Sequence, residues 1–346
     1  MDYKNIDTER LNENTLNIDK LETLKIVKLI NDEDKKVAYA VEKVLPQIAE
    51  AIDSAVPLLK SGGRLIYVGA GTSGRLGIVD AAECPPTFGV SPELVQGIIA
   101  GGRDSTFRSS EGAEDNREAV VADLKNIGFG PEDICCAISA SGSAEYCISA
   151  LKYASSLGAL CICICCNKNA PMIQYSKIAI IPEVGPEVIA GSTRMKAGTA
   201  QKMVLNMIST GIMIRLGRVK GNMMSYMSPV NKKLRARAVR IIGAQTGSTE
   251  QEAKAALELS DGNIMEAISR LQEQKKISRI TQFAYYRKPK ADKACLVRYN
   301  KNLPKAAIAA LGKLILLPHF GFKTVILTDI VKSLGVAVII NRVGNP

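Results

Sequence analysis

Apolar positions recur at helical spacing between residues 34 and 60, where Val37, Val41, Val44, Leu45, Ile48, Ile52 and Val56 share one face. The pattern predicts one long amphipathic helix, with Pro46 placed to kink it. A short apolar run follows at 64–69, then a Gly/Ser/Thr loop, then a helical pattern from Arg75. The same order recurs at 133–138, with a serine-rich loop at 139–143 and a helix through Leu151. Two further apolar runs, 159–165 and 177–181, complete a set of short buried strands. Strands alternating with helices predict an α/β fold, a parallel sheet with helices on both faces.

Residues 193–216 form another helical pattern. Segment 232–272 predicts about three short helices, with Gly243, Thr249 and Asp261-Gly262 as turns or caps. This unit is similar to the three-helix fold of ubiquitin-associated domains, without implying that ubiquitin binds. The expected organisation is an N-terminal arm at 1–33, the α/β domain at 34–230, a small helical domain at 231–275 and a C-terminal extension at 276–346.

Charge changes this picture only at one end. The net charge is +11, but residues 270–346 hold 15 Lys and Arg against 3 Asp and Glu, leaving 30 and 31 elsewhere. The basic character therefore belongs to the C-terminal segment and argues against a nucleic-acid partner for the main domain. Most of the nine cysteines sit in apolar runs, where a thiol serves as a small hydrophobe, and the chain has one histidine, His319. Paired C-x-x-C spacing is missing, so no metal is expected. The polar, acidic start and the lack of a long apolar run predict no signal peptide and no membrane span, and reduced cysteines fit the cytoplasm.

Two loops carry the candidate chemistry. Gly69-Ala-Gly-Thr-Ser-Gly74 and Ser139-Ala-Ser-Gly-Ser143 fall at predicted strand ends, where open α/β sheets bind ligands. Glycine admits a phosphate close to the backbone, a following helix offers unpaired N–H groups, and the hydroxyls add donors. Neither loop has the Gly-Lys-[Ser/Thr] ending of a nucleotide P-loop, and the G-x-G-x-x-G match in the first lacks an obvious acidic partner on a second strand. A pair of such loops suits a sugar phosphate.

Four motifs in order then resemble a known family. They are Val68-Gly-Ala-Gly-Thr-Ser-Gly-Arg-Leu-Gly77, Asp80-Ala-Ala-Glu-Cys-Pro-Pro-Thr-Phe-Gly89, Glu111-Gly-Ala-Glu-Asp-Asn116 and Gly191-Ser-Thr-Arg-Met-Lys-Ala-Gly-Thr-Ala-Gln-Lys202. Together they resemble the N-acetylmuramic acid 6-phosphate etherases, relatives of the glucokinase regulatory protein with a sugar-isomerase fold. The resemblance spans roughly residues 5–275. It implies a homodimeric, cofactor-free lyase that removes D-lactate from the sugar phosphate in cell-wall salvage.

The resemblance also implies that Glu83 and Glu114 are the catalytic carboxylates. Glu83 before Pro85-Pro86 is expected at a helix C-terminus, which disfavours its charge and suits an acid. Glu114 is expected to begin a helix running to Leu124, which suits an ionised base. Candidate substrate contacts are Gly71, Thr72 and Ser73, then Ser139, Ser141, Gly142 and Ser143, and finally Ser192 and Lys196. Lys196 is equally compatible with a phosphate contact and a solvated face, and Lys202 is expected at the surface.

Two departures stand out. The family's second loop continues Ser-Gly-Arg-Thr-Pro-Tyr, whereas this chain has Ser143, Ala144 and Glu145 before Tyr146. Losing those donors and adding a like charge predicts weaker substrate binding, by about 1 kcal/mol per lost neutral hydrogen bond. The extension beyond 275 is the second, and it is expected to add nothing to catalysis. Competing readings are a sugar-phosphate-binding regulator, which needs no paired carboxylates, and a sugar isomerase, which needs no acid at C3.

Overall fold

A computed structural model describes residues 9–285, 296–298 and 339–341. The chain divides into two compact units, Met1–Val230 and Asn231–Pro346. The first is a five-stranded parallel sheet with strand order β2-β1-β3-β4-β5. Its strands are β1 (Leu65–Gly69), β2 (Val95–Ile99), β3 (Ile134–Ile138), β4 (Leu160–Ile164) and β5 (Ile178–Ile180). Its helices are α1 (Thr23–Glu42), α2 (Leu45–Lys60), α3 (Gly71–Phe88), α4 (Arg117–Asn126), α5 (Glu145–Ser156) and α6 (Lys196–Arg215).

Alternate strand residues point to opposite faces, and both faces are covered. Leu65, Tyr67, Ile134, Cys136 and Ile162 pack in one apolar cluster with α1, α2, α3 and α6. Ile66, Val68, Cys135, Ala137, Cys161 and Cys163 pack in a second with α4 and α5. The cysteines of β3 and β4 are thus buried core residues.

The helix expected over 34–60 is two helices, and the first starts at Thr23, inside the expected arm. Pro46 explains the break at Lys43 and Val44. It has no N–H, and its ring would strike the carbonyl four residues back, so it is tolerated only in the first turn of α2. The sequence pattern also missed β2. Gln96-Gly97 interrupts its apolar run, and only its ends are fully buried. Gly97 is needed there because a Cβ would lie 2.8 Å from the backbone of Ile78 on α3.

Unit two contains α7 (Lys232–Thr246), α8 (Glu250–Glu258) and α9 (Ile264–Tyr285). Thr249 and Glu252 form a reciprocal capping box on α8, and Asn263 accepts from the backbone of Glu266 to cap α9. Gly247, not Gly243, closes α7 in the left-handed region. Because α9 runs to Tyr285, the expected boundary at 275 cuts a helix. Beyond Tyr285, Leu296–Arg298 pairs antiparallel with Ile339–Asn341, and the rest of the extension lies outside the described residues. No helix among the described residues is long and apolar enough to cross a membrane.

Strand β1 passes into α3 through Ala70 alone, so strand and helix nearly touch. A Cβ on Gly69 would sit 2.7 Å from the backbone nitrogen of Gly74. Gly69→Ala is therefore expected to destabilise the protein by about 1–3 kcal/mol, the usual range for overpacking against atoms that cannot yield. Gly130→Ala, where a Cβ meets nothing within 4 Å, is the control. Urea midpoints that do not separate these two variants would contradict the close-approach argument.

Candidate active site

Strand order reverses between β1 and β3, because β2 lies beyond β1 on the opposite side. The crevice at such a switch point, outside the carboxyl ends of the strands, is where open α/β sheets hold ligands. Both candidate loops open there, since Gly69 and Ile138 are direct partners in the parallel register. Only the second remains a loop. Gly71, Thr72 and Ser73 already form the first turn of α3, four residues earlier than the periodicity predicts. Ala70 provides no side-chain cap, so N–H groups of this turn have no intrahelical partner. Ser73 is buried, and its hydroxyl donates to Gln201 Oε1 at 2.9 Å, tying α3 to α6.

The serine loop after β3 is braced from within. Ser139 Oγ accepts from the amide of Gly142 at 3.1 Å, and the Ser141 and Ser143 hydroxyls lie 2.8 Å apart. Gly142 has φ +68°, and a Cβ there would meet the Ala170 Cβ at 2.3 Å, so only glycine fits. Asn167 Nδ2 donates to the Ser141 carbonyl at 3.2 Å. Ala144 is the N-cap of α5 and has no side chain to cap it. Glu145 does not stand as an unopposed charge at the loop, because Arg117 Nε lies 3.1 Å from its carboxylate.

Glu114 and Glu83 are both exposed, and neither has the helix position expected for it. Glu114 lies in a 3₁₀ turn, Ala113–Asp115, while α4 begins at Arg117 with Asn116 as its cap. Its charge is near Cys147 in the first turn of α5: burial first, and then the neighbouring Glu114 among other charges, push that thiol up to about 12. The Cys147 Sγ in turn reaches the Ile138 carbonyl at the end of β3, at 3.4 Å. Glu83 is not at a helix terminus, since α3 continues through Pro85 and Pro86 to Phe88 and closes at Gly89 in the left-handed region. It lies ten residues after Ser73, about 15 Å along the helix axis.

One turn before Glu83 is a buried carboxylate that the sequence reading left without a role. Asp80 accepts from Tyr67 Oη at 3.0 Å, Asn206 Nδ2 at 2.6 Å and Ser209 Oγ at 3.0 Å. These bonds fix α3 against both β1 and α6, and hence the direction in which Glu83 leaves the helix. An acid three positions before a candidate catalytic acid on one helix was the available signal.

Lys196 is used differently from either reading of the sequence. It is 1% exposed, and its Nζ lies 2.6 Å from Glu33 Oε2 on α1, itself 4% exposed. Burial would push the Glu33 carboxyl up, but hydrogen bonds and charge from Lys196 and Lys36 outweigh it and hold it at about 2. Glu187, fully buried, accepts from the amides of Lys196 and Ala197 at 2.9 Å each, capping α6 with a carboxylate. Burial, its leading influence, raises the Glu187 pKa despite those bonds. Ser192 is half-buried in the segment between Glu187 and α6, and Lys202 is exposed.

Residues 47–155 match the family described as the glucokinase regulatory protein N-terminal SIS domain, and residues 121–211 match the SIS domain family. An N-acetylmuramic acid 6-phosphate etherase of Clostridium beijerinckii is 54% identical over 268 residues, covering 78% of this chain and 88% of its own. One from Clostridium botulinum is 56% identical over 245 residues, with 71% and 81% covered. One from Caldanaerobacter subterraneus subsp. tengcongensis is 54% identical, again with 78% and 88% covered. Among solved structures, a phosphoheptose isomerase from Neisseria gonorrhoeae aligns at a TM-score of 0.43 and 16% identity, over 55% of this chain and 98% of its own.

Two outcomes follow from these local geometries. Ala144→Thr supplies the missing cap of α5 and is expected to raise stability by about 0.5–2 kcal/mol in urea denaturation. Glu33→Gln breaks a buried pair and is expected to cost about 3–5 kcal/mol at neutral pH. Because the folded Glu33 value is depressed, the wild-type advantage is present above 4.5, the value for a free carboxyl, and fades as pH falls toward 2. A gap between wild type and Glu33→Gln that stays constant from pH 6 to pH 3 would contradict the pairing.

Proposed function

The chain belongs to the N-acetylmuramic acid 6-phosphate etherases, and on that premise we propose that it releases D-lactate from N-acetylmuramic acid 6-phosphate, leaving N-acetylglucosamine 6-phosphate. The observation that carries this is identity of 54–56% over more than two thirds of the chain. The reaction is a carbon–oxygen lyase step in the salvage of cell-wall amino sugars, carried out in the cytoplasm and without a cofactor.

The chemistry needs one carboxylate and one carboxylic acid. In the open-chain sugar, C2 is next to the aldehyde, so a carboxylate can remove its proton. The electron pair forms the C2–C3 double bond as the C3–O bond breaks, and the acid protonates the departing lactyl oxygen. Water then adds at C3, C2 regains a proton, and the two carboxyl groups exchange roles. Glu114, in the 3₁₀ turn that precedes α4, is assigned as the base at C2 by its match to the family motif. Glu83 is assigned as the acid at C3 by its match to the family motif.

For the phosphate we assign the first turn of α3 at Gly71, Thr72 and Ser73, the loop residues Ser139, Ser141, Gly142 and Ser143, and Ser192. About 15 Å of α3 between Ser73 and Glu83 exceeds the reach from a hexose 6-phosphate to its C3. That spacing supports a homodimer in which Glu83 serves a site completed by a second copy. A regulator that binds a sugar phosphate without cleaving it is the second reading, favoured by the match to the regulatory-protein domain at 47–155.

The deciding experiment is D-lactate release in D₂O by wild type, Glu83→Gln and Glu114→Gln. Wild type is expected to form D-lactate and leave deuterium at C2 of the product. Each variant is expected to lose about 10²–10⁴-fold in kcat, the usual contribution of general acid–base catalysis. Sugar-phosphate binding with no lactate from wild type would reject the etherase reading in favour of the regulator.

A further inference from the structure

Residues 186–195 lead into α6 and include Ser192. They are gripped from two sides. From the N-terminal arm, Asn12 Nδ2 donates to the Pro186 carbonyl at 3.3 Å and Thr15 Oγ1 to the Val188 carbonyl at 2.8 Å. From α6, the amides of Lys196 and Ala197 donate to the Glu187 carboxylate between those two positions. Arm and helix are joined through Glu33. One of its oxygens receives Lys196 Nζ at 2.6 Å, and the other receives Asn14 Nδ2 at 3.3 Å and Lys36 Nζ at 2.5 Å.

The next turns of α6 meet the phosphate end of α3. A Cβ on Gly198 would lie 3.4 Å from Thr72 Cγ2, and Gln201 accepts the hydroxyl proton of Ser73. A continuous path therefore runs from Glu33 through Lys196 and about one and a half turns of α6 to Thr72 and Ser73.

A buried ion pair is a poor source of stability, because desolvation of both charges offsets most of their attraction. What it does supply is a unique register. Sliding or rotating α6 by one position would leave the Lys196 ammonium buried without its partner and one Glu33 oxygen unpaired, whereas apolar side chains in the same place would tolerate the shift. We propose that Glu33 and Lys196 are positioning residues for sugar-phosphate binding: their ion pair sets α6 and the Ser192 segment against the first turn of α3. This rests on the proposed function only for the identity of the ligand. It replaces the phosphate contact that the sequence allowed for Lys196.

The test measures N-acetylglucosamine 6-phosphate Kd by calorimetry and D-lactate kinetics for Glu33→Gln, Lys196→Met, the double variant and Thr15→Val, with unfolding midpoints alongside. Each charge variant is expected to raise Kd and KM about tenfold, the equivalent of one lost binding contact, while kcat falls less than KM rises. The double variant is expected to bind no worse than the single ones, since the two residues act as a unit. Thr15→Val, which removes one hydroxyl at the edge of the network, keeps the question answerable if the charge variants do not fold. It is expected to raise KM severalfold.

A direct phosphate contact by Lys196 would instead abolish binding in Lys196→Met and spare it in Glu33→Gln, overturning the proposal. Unchanged Kd and KM in Thr15→Val, or in folded charge variants whose midpoints fall, would also overturn it. Failure of wild type to release D-lactate would count against the proposed reaction and leave the Kd comparison standing.

Discussion

The contact between β1 and α3 is the constraint on which the rest of the molecule depends. Gly69 and Gly74 approach so closely that neither has room for a side chain, and a single residue, Ala70, links strand to helix. The unpaired amides of α3 are thereby placed at the carboxyl edge of the sheet, next to the end of β3. The axis along which Asp80 and Glu83 lie is set by the same contact. Moving α3 outward by the width of a methyl group would shift the candidate phosphate end and a candidate catalytic carboxylate together. Non-directional burial in two apolar layers supplies most of the driving force for folding, while this contact determines where the ends of the elements fall.

Buried polar groups refine what apolar packing leaves loose. Asp80 collects three donors from β1 and α6, and Glu187 takes two amides at the start of α6. Glu33 and Lys196 close the same region from α1. Each such group is costly to bury without its partners, so each admits one arrangement of the helices around it. All three lie on the face of the sheet that carries α1, α3 and α6. The α4 and α5 face packs the thiols of Cys135, Cys147, Cys161 and Cys163 among Leu124, Phe129, Tyr146 and Leu151.

The loop substitutions at 143–145 also look different in three dimensions. Ala144 leaves α5 without a side-chain cap, so part of the cost of losing threonine falls on the helix as well as on the ligand. Glu145 is opposed by Arg117, which moderates the like charge expected beside a phosphate. Ser143 keeps a hydroxyl partner in Ser141. The effect of these substitutions on the candidate phosphate loop is therefore shared among three neighbouring groups.

By itself the sequence determined the α/β class, four of the five strands, the serine-rich loop after β3 and the family. Those are legible because strand periodicity, turn chemistry and motifs are local properties of the chain. Edge strand β2 was not legible, since Gln96-Gly97 breaks its apolar pattern for the sake of a helix packed from elsewhere. The role of Lys196 was not legible either: its partner Glu33 is distant in the chain, and a lysine's periodicity does not say whether its ammonium meets water, phosphate or a buried carboxylate. Helix ends at Glu83 and Glu114 were misjudged because capping by Asn116 and Gly89 outweighs propensity. Tertiary structure alone decided β2 and the role of Lys196, because they depend on pairings between residues far apart in sequence, whose energies no local pattern records.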